Sequence, residues 1–189
     1  MLNYKKPLEI IISLQILVIS SMIPVFISIP FTNKIIQIFE IPITWQVPSI
    51  ILMTLIFKGK IVVKAFTIYL LLGLFFIPVF HQGGSLGYLL TPNFGYLLGI
   101  YPLIKIIDNS VNNHREIFFY NFIKSGVLGI FSMHLVGIFY NFIQFIYYKQ
   151  SEILLYNISN YSLGKVGYHL LMLTPITLLI KPINNRLIR

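Results

Sequence analysis

Hydrogen-bonding side chains stand at the starts of two apolar stretches that are shorter than the others in the chain. Thr44 and Gln46 lie at the start of the first stretch, and Asn93 and Tyr96 lie at the start of the second. Amide and hydroxyl groups both donate and accept hydrogen bonds, so these residues are suited to binding a polar ligand. The alternative is that Asn93 only caps a helix after an ordinary connecting turn.

A glycine-rich stretch leads into the second of these segments. Residues 81–96 read HQGGSLGYLLTPNFGY and lie between two strongly apolar segments. Gly83 and Gly84 permit backbone conformations closed to other residues and let backbone amides approach a ligand closely. Irregular backbone at membrane depth survives only where it is buried in protein or lines a cavity. The stretch therefore predicts the wall or lid of a ligand cavity that opens to the outer side.

Catalytic and metal-binding patterns are missing from the sequence. The chain has no cysteine, which excludes thiolate metal sites and cysteine nucleophiles. The Gly-Lys pairs at Gly59 and Gly164 lack the spacing of a phosphate-binding P-loop. The remaining candidates are scattered, without metal-ligand spacing or a paired acid and base. They are His81, His114, His134 and His169, with Glu9, Glu40, Asp108, Glu116 and Glu152. We therefore expect no enzymatic activity, no metal and no cofactor.

The elements that must position these groups are predicted to be membrane helices. The chain is 57% hydrophobic and only 10% charged, whereas a soluble domain carries about 25% charged residues. A helix needs about 20 apolar residues to cross a bilayer core. The sequence predicts an all-α, single-domain protein over residues 1–189 with six spans, two of them short and one possibly broken near Lys124. The spans are residues 8–30, 46–57, 62–80, 93–107, 116–148 and 166–186.

Basic residues then orient the six spans. With both termini in the cytoplasm, nine lysines and arginines fall on the inner side and three, Lys34, Lys149 and Lys165, on the outer side. This bias follows the positive-inside rule and predicts an N-in, C-in topology. It also explains the net charge of +9 without a nucleic-acid partner. The polar residues 149–165 favour a short surface helix on the outer side.

Residues 41–99 closely resemble the BioY family, the biotin-specific substrate-binding (S) subunits of energy-coupling-factor transporters. The resemblance rests on motifs in the family's order and spacing. These are Pro42, Thr44 and Gln46, then YLLLG at 69–73, PVF at 78–80 with Gly83 and Gly84, and TPNFGYLLG at 91–99. Departures occur at Asn93, where the family has Thr, and at Phe94, where it has Gly. Thr177 stands where the family's C-terminal motif has Asp, and Lys181 follows one residue later than the motif's Lys.

The resemblance implies a ligand, partners and a set of binding residues. Biotin is the expected ligand, and the partners are a membrane coupling subunit and ATP-hydrolysing subunits in the plasma membrane of a prokaryote. An amide such as Asn93 or Gln46 matches the ureido ring, while Trp45 and Tyr96 suit the apolar parts. Glycine-loop amides or Lys181 suit the carboxylate. The full set is Thr44, Trp45, Gln46, Gly83, Gly84, Asn93, Gly95, Tyr96 and Lys181.

Two alternatives remain open at this point. The same fold could bind another small vitamin or heterocycle, because the departures at Asn93, Phe94 and Thr177 alter the expected site. The chain could instead be a non-transporting membrane scaffold, which predicts no ligand cavity and indifference to mutation of Gln46 or Asn93.

Overall fold

The computed structural model describes residues 4–30, 36–81, 83–112, 119–149 and 151–180, most of which are helical. Within these ranges a 3₁₀ turn at Leu86–Leu90 precedes the helix that begins at Pro92, and a π-helical turn at Ser159–Leu163 joins the helix that ends at Ile158 to the one that begins at Gly164. The strands are β1 (Pro24–Pro30) and β2 (Ile36–Thr44). The helices are α1 (Lys5–Met22), α2 (Gln46–Ile56), α3 (Gly59–Phe75), α4 (Pro92–Leu98), α5 (Ile100–Asn112), α6 (Phe119–Tyr148), α7 (Ser151–Ile158), α8 (Gly164–Leu171) and α9 (Leu173–Leu178).

A β-hairpin corrects the prediction of an all-α chain whose first span covers residues 8–30. The first helix ends at Met22, and Ile23 takes an extended conformation because it precedes Pro24, which disfavours the helical region for that residue. Strands β1 and β2 then pair antiparallel. An apolar helix and an apolar strand add to one continuous hydrophobic run, so hydropathy alone does not separate them.

The two short apolar segments of the sequence form helical segments of different lengths. Helix α2 has 11 residues, a length of about 16 Å, which is about half of a hydrocarbon core of about 30 Å. It is mostly buried, against α1, α3 and α5. The second segment is longer than predicted, because helical structure runs from Pro92 to Asn112 with an irregularity at Gly99. Those residues together extend about 32 Å.

Helix α6 is the central long helix of the fold. It is 30 residues long and continuous through Lys124, so the break considered there does not occur. Among the described residues it is also the helix whose length and apolarity suffice to cross a membrane. Gly99 of the α4–α5 segment lies against the backbone of Met133, and Gly129 lies against Leu103. These small residues let α6 pack closely on its neighbours.

The C-terminal third is a chain of short helices. Helix α7 falls in the polar segment where a surface helix was predicted, and it has no buried residue. After the π-helical turn, α8 and α9 occupy the first part of the last predicted span.

The third predicted span corresponds to α3, which ends two residues before the Ile77–Pro78 pair that stops a helix.

An aromatic cluster fixes the segment that follows α3. The rings of Tyr69 and Phe80 lie 5.3 Å apart in an edge-on arrangement, and those of Phe80 and Tyr88 lie 4.5 Å apart. The hydroxyls of Ser21 and Tyr69 both donate to the carbonyl of Val79, at 3.0 and 3.2 Å. The start of the glycine-rich stretch is thereby tied to α1 and α3 beneath the cavity described next.

Candidate functional site

A cavity of about 300 Å³ lies between the hairpin, α2, α4, α6 and α8. Its size is at the lower end of the range for small-molecule sites. The apolar lining consists of Pro24, Ile41, Pro42, Ile43, Val47, Leu97, Ile100 and Met133. The polar lining consists of Glu40, Thr44, Gln46, His81, Tyr88, Asn93, Tyr96, His134, Tyr161, Lys165 and His169.

The junction of the hairpin and α2 places Thr44 and Gln46 in this lining. The N–H of Trp45 donates to the carbonyl of Ile23 at 3.1 Å, which closes the hairpin at its base. Gln46 is then the first residue of α2 and is 9% exposed. Its side-chain nitrogen, Nε2, is buried and has no hydrogen-bond partner among the described residues, although the hydroxyl of Tyr69 is close to this amide. Trp45 is 41% exposed and does not line the cavity.

Helix α4 brings Asn93 and Tyr96 to the opposite wall. Pro92 begins the helix, where its missing N–H costs no hydrogen bond. The Asn93 side chain interacts with the hydroxyl of Tyr88. Burial raises the pKa of Tyr88 to about 12, so this hydroxyl is neutral at physiological pH. The hydroxyl of Tyr96 is buried and makes no hydrogen bond within the described ranges, although Ser162 is close to it.

Glycines in this region serve packing. Gly95 lies against Tyr140, and Gly137 of α6 lies against the ring of Tyr96. A methyl group at either position would collide with the aromatic side chain. Gly95 is therefore next to the site but is not part of its lining.

The predicted loop glycines also lie outside the lining. Gly83 has φ +107°, a conformation that favours glycine, and it exchanges two backbone hydrogen bonds with Phe80, at 2.9 and 3.0 Å. Gly84 packs against the carbonyl of Gly73 and the backbone of Pro78, where a side chain has no room. The tight turn thus holds the segment on α3. Lys181, the remaining predicted residue, lies outside the described residues.

The 3₁₀ turn between these glycines and α4 is tied to α6. The hydroxyl of Tyr140 donates to the carbonyl of Leu89, and Nε2 of Gln144 donates to the carbonyl of Leu90 at 2.9 Å. These bonds hold the turn that carries Tyr88 over the cavity.

Three buried side chains form a hydrogen-bonded string that the sequence did not predict. The hydroxyl of Ser162 lies 3.1 Å from Nδ1 of His134, and Nε2 of His134 lies 3.1 Å from Nδ1 of His169. If Ser162 donates to Nδ1 of His134, then Nε2 of His134 donates to Nδ1 of His169, and Nε2 of His169 carries a hydrogen. If Ser162 accepts, Nε2 of His169 is an acceptor. Nε2 of His169 is therefore a donor in one arrangement and an acceptor in the other.

The π-helical turn and α8 supply the last wall. The N–H of Gly164 donates to the carbonyl of Ser159, five residues earlier. Tyr161, Lys165 and His169 follow at four-residue intervals, which places them on one helix face. This spacing was the available signal. It was missed because Lys165 was assigned to a connecting segment and His169 was considered only as a metal ligand.

Electrostatically, the lining combines neutral polar groups with one half-buried cation and one exposed carboxylate. The ammonium of Lys165 lies 4.9 Å from the centre of the Tyr161 ring, within cation–π range. Glu40, the carboxylate in the lining, is exposed on β2. No cluster of three metal-ligating side chains occurs in the described part of the chain. The arrangement suits reversible binding of a small polar molecule.

Comparisons with known proteins bear on the family and the fold. The model of the BioY family matches residues 5–176. The chain is similar to a protein named "Probable biotin transporter BioY" from Lysinibacillus sphaericus, with 27% identity over 103 residues, or 54% of this chain. That alignment spans 53% of the relative, about half its length. The fold is similar to the crystal structure at 2.1 Å of the S-component for biotin from an ECF-type ABC transporter. The TM-score is 0.64 at 22% identity, covering 96% of this chain and 95% of the other.

Proposed function

Because the chain belongs to the BioY family, we propose that it is a membrane subunit that captures biotin for import. The curated relative is named a biotin transporter, and the similar solved structure is an S-component for biotin. A chain that captures a ligand without transforming it needs a shaped, hydrogen-bonding cavity and no catalytic groups.

The observation that carries the proposal is a pair of buried polar atoms at the cavity that have no hydrogen-bond partner among the described residues, Nε2 of Gln46 and the hydroxyl of Tyr96. A buried polar group without a partner destabilises a fold by about 1–3 kcal/mol. A ligand that supplies a partner removes this penalty. The ureido ring of biotin carries N–H donors beside a carbonyl acceptor, so it can pair with both groups and with Asn93. The apolar lining suits the sulfur ring and alkyl chain.

We further propose a single six-span domain over residues 1–189 with both termini in the cytoplasm, in the plasma membrane of a prokaryote. The inward bias of basic residues supports the orientation, and the length of α6 supports insertion in a bilayer. In this arrangement the second span contains the short helix α2, which packs against α1, α3 and α5.

The proposed partners are a membrane coupling subunit and ATP-hydrolysing subunits. The sequence carries no P-loop of its own, and the solved structure with the same fold is an S-component from an ECF-type ABC transporter. Capture would be the task of this chain, and energy for release would come from the partners.

Equilibrium binding of labelled biotin to the detergent-purified chain tests the proposal. We expect saturable, ATP-independent binding that unlabelled biotin displaces, and weaker binding by Gln46→Ala and Asn93→Ala. Retained binding of another vitamin without biotin binding would support the alternative ligand. A lack of binding of any vitamin, with normal folding, would favour the scaffold alternative. Normal binding by both variants would contradict the site while leaving the ligand in place.

A further inference from the structure

Tyr140 of α6 contacts both of the short elements that lead into the cavity wall, the 3₁₀ turn at Leu86–Leu90 and helix α4. Its hydroxyl donates to the carbonyl of Leu89, near the end of the turn. Its ring meets that of Phe94 edge-on, with 5.9 Å between the centroids. Gly95 lies against the same side chain, where an added methyl group would collide with it. One residue of α6 therefore holds two elements that carry cavity-lining side chains.

The 3₁₀ turn needs such support from outside. The hydrogen-bond geometry of a 3₁₀ turn is poor, and the carbonyls at the end of a helical segment have no partner within it. The hydroxyl of Tyr140 supplies a partner to the carbonyl of Leu89. Nε2 of Gln144, one helical turn further along α6, donates to the carbonyl of Leu90 at 2.9 Å. Two neighbouring side chains of α6 thus set the position of the turn.

The side chain that the turn places at the cavity is Tyr88. It lies in the middle of the turn, is 7% exposed and lines the cavity. Its hydroxyl interacts with the side chain of Asn93, which also lines the cavity. Tyr88 precedes Leu89, and Asn93 precedes Phe94. Each member of this pair is therefore the chain neighbour of a residue that Tyr140 contacts.

We infer that Tyr140 is a positioning residue for the ligand, which fixes the Tyr88–Asn93 pair at the cavity wall without itself belonging to the lining. This inference rests on the proposed function, in which Asn93 meets the ureido ring. A hydrogen bond weakens steeply when its angle departs from the preferred geometry. A pair that is already fixed also loses less side-chain freedom when the ligand binds. Loosening the contact with Tyr140 should therefore weaken binding, mainly by speeding dissociation.

A double-mutant cycle on biotin affinity tests the assignment. Tyr140→Phe keeps the ring and removes the hydroxyl, and we expect about 3- to 10-fold weaker binding. The dissociation rate should rise by a similar factor, with the association rate within about 3-fold. Asn93→Ala should weaken binding less in the Tyr140→Phe background than alone, with a coupling of at least about 3-fold. Gln46→Ala, on the opposite wall, should instead combine with Tyr140→Phe to within about 2-fold of additivity.

Tyr147→Phe is the matched control, since it removes the same hydroxyl from a ring of α6 that is 80% exposed, and it should leave affinity unchanged. A merely structural role for Tyr140 would lower the fraction of chains that bind without changing the dissociation rate of the remainder, so binding stoichiometry is measured alongside. If Tyr140→Phe does not fold, Gln144→Met removes the neighbouring hydrogen bond to the turn and should show the same coupling to Asn93→Ala.

Three results would overturn the assignment. They are unchanged affinity in Tyr140→Phe, full additivity of Tyr140→Phe with Asn93→Ala, and normal binding by Asn93→Ala alone. Failure of the unmodified chain to bind biotin would refute the proposed function, and the assignment with it.

Discussion

At the scale of single residues, the binding role proposed for Gln46 and Tyr96 implies a cost in stability. Each buries a polar atom that has no partner among the described residues, at the wall of the same cavity. Such atoms persist in a fold when another molecule supplies the missing hydrogen bond. Stability and affinity should therefore respond in opposite directions when these atoms are removed.

Gln46→Leu tests this opposition, since leucine has a similar size and no polar atom. We expect an unchanged or raised unfolding temperature in detergent and at least a several-fold weaker affinity for biotin, because the ligand loses a partner worth about 0.5–1.5 kcal/mol. Thermal unfolding and ligand binding on the same preparation measure both. Gln15→Leu, at an exposed position of α1, is the control and should leave affinity unchanged. A large loss of stability in Gln46→Leu would contradict the interpretation.

Gly137→Ala would alter the site indirectly, because Gly137 packs against the ring of Tyr96. Its new methyl group would collide with the ring of Tyr96, so the ring must shift toward the cavity. We expect a folded protein with roughly 10-fold weaker biotin binding, because the displaced ring occupies space that the ligand needs. Gly167→Ala, whose new methyl group meets no atom of the described residues within 4 Å, is the matched control for binding. Unchanged affinity in Gly137→Ala would show that the position of Tyr96 is not critical.

At the scale of elements, the contact of the α4–α5 segment with α6 sets the width of the cavity. Gly99 meets the backbone of Met133 directly, so its environment cannot adjust by turning a side chain. Gly99→Ala should therefore destabilise the protein by about 1–3 kcal/mol through overpacking. Gly167→Ala should instead stabilise α8 by up to about 1 kcal/mol, from helix propensity. Unfolding temperatures of the two variants are compared, and equal effects would contradict the close packing.

The start of α3 depends on a carboxylate from α5. Oδ1 of Asp108 accepts a hydrogen bond from the N–H of Gly59 at 2.7 Å, where the N-terminus of a helix favours negative charge. Asp108→Ala should lower stability by about 1–2 kcal/mol. Glu152→Ala removes an exposed carboxylate from the first turn of α7, and its smaller effect provides the comparison in thermal unfolding.

At the scale of the whole molecule, the sequence predicted the long helices better than their connections. Helices α3 and α6 follow from long apolar runs, because burial and bilayer length both demand them. The hairpin was missed since Pro24 converts an apolar run from helix to strand without changing its hydropathy. The span predicted at residues 93–107 was shorter than the observed helical segment. It was cut short because a glycine at position 99 and polar residues beyond 107 suggested an end, but they do not interrupt the helical structure.

The candidate site was likewise predicted only in part from the sequence. Thr44, Gln46, Asn93 and Tyr96 line the cavity, and each is close to a helix start that a sequence pattern indicates. The string of Ser162, His134 and His169 joins residues 28 and 35 positions apart. Such pairs depend on how α6 and α8 pack, which no local pattern specifies.

The π-helical turn at Ser159–Leu163 sets the rotation of α8 about its axis, and so determines which of its side chains line the cavity. The hydrogen bond from Gly164 to Ser159 encloses one residue more than an α-helical turn. Deleting Asn160 would restore an ordinary turn and rotate the helix beyond it by about 100°. Lys165 and His169 would then leave the cavity together, while their sequence neighbours stayed intact. One inserted residue thus determines which face of α8 lines the cavity. Insertions and deletions in this turn should therefore alter binding more than substitutions do.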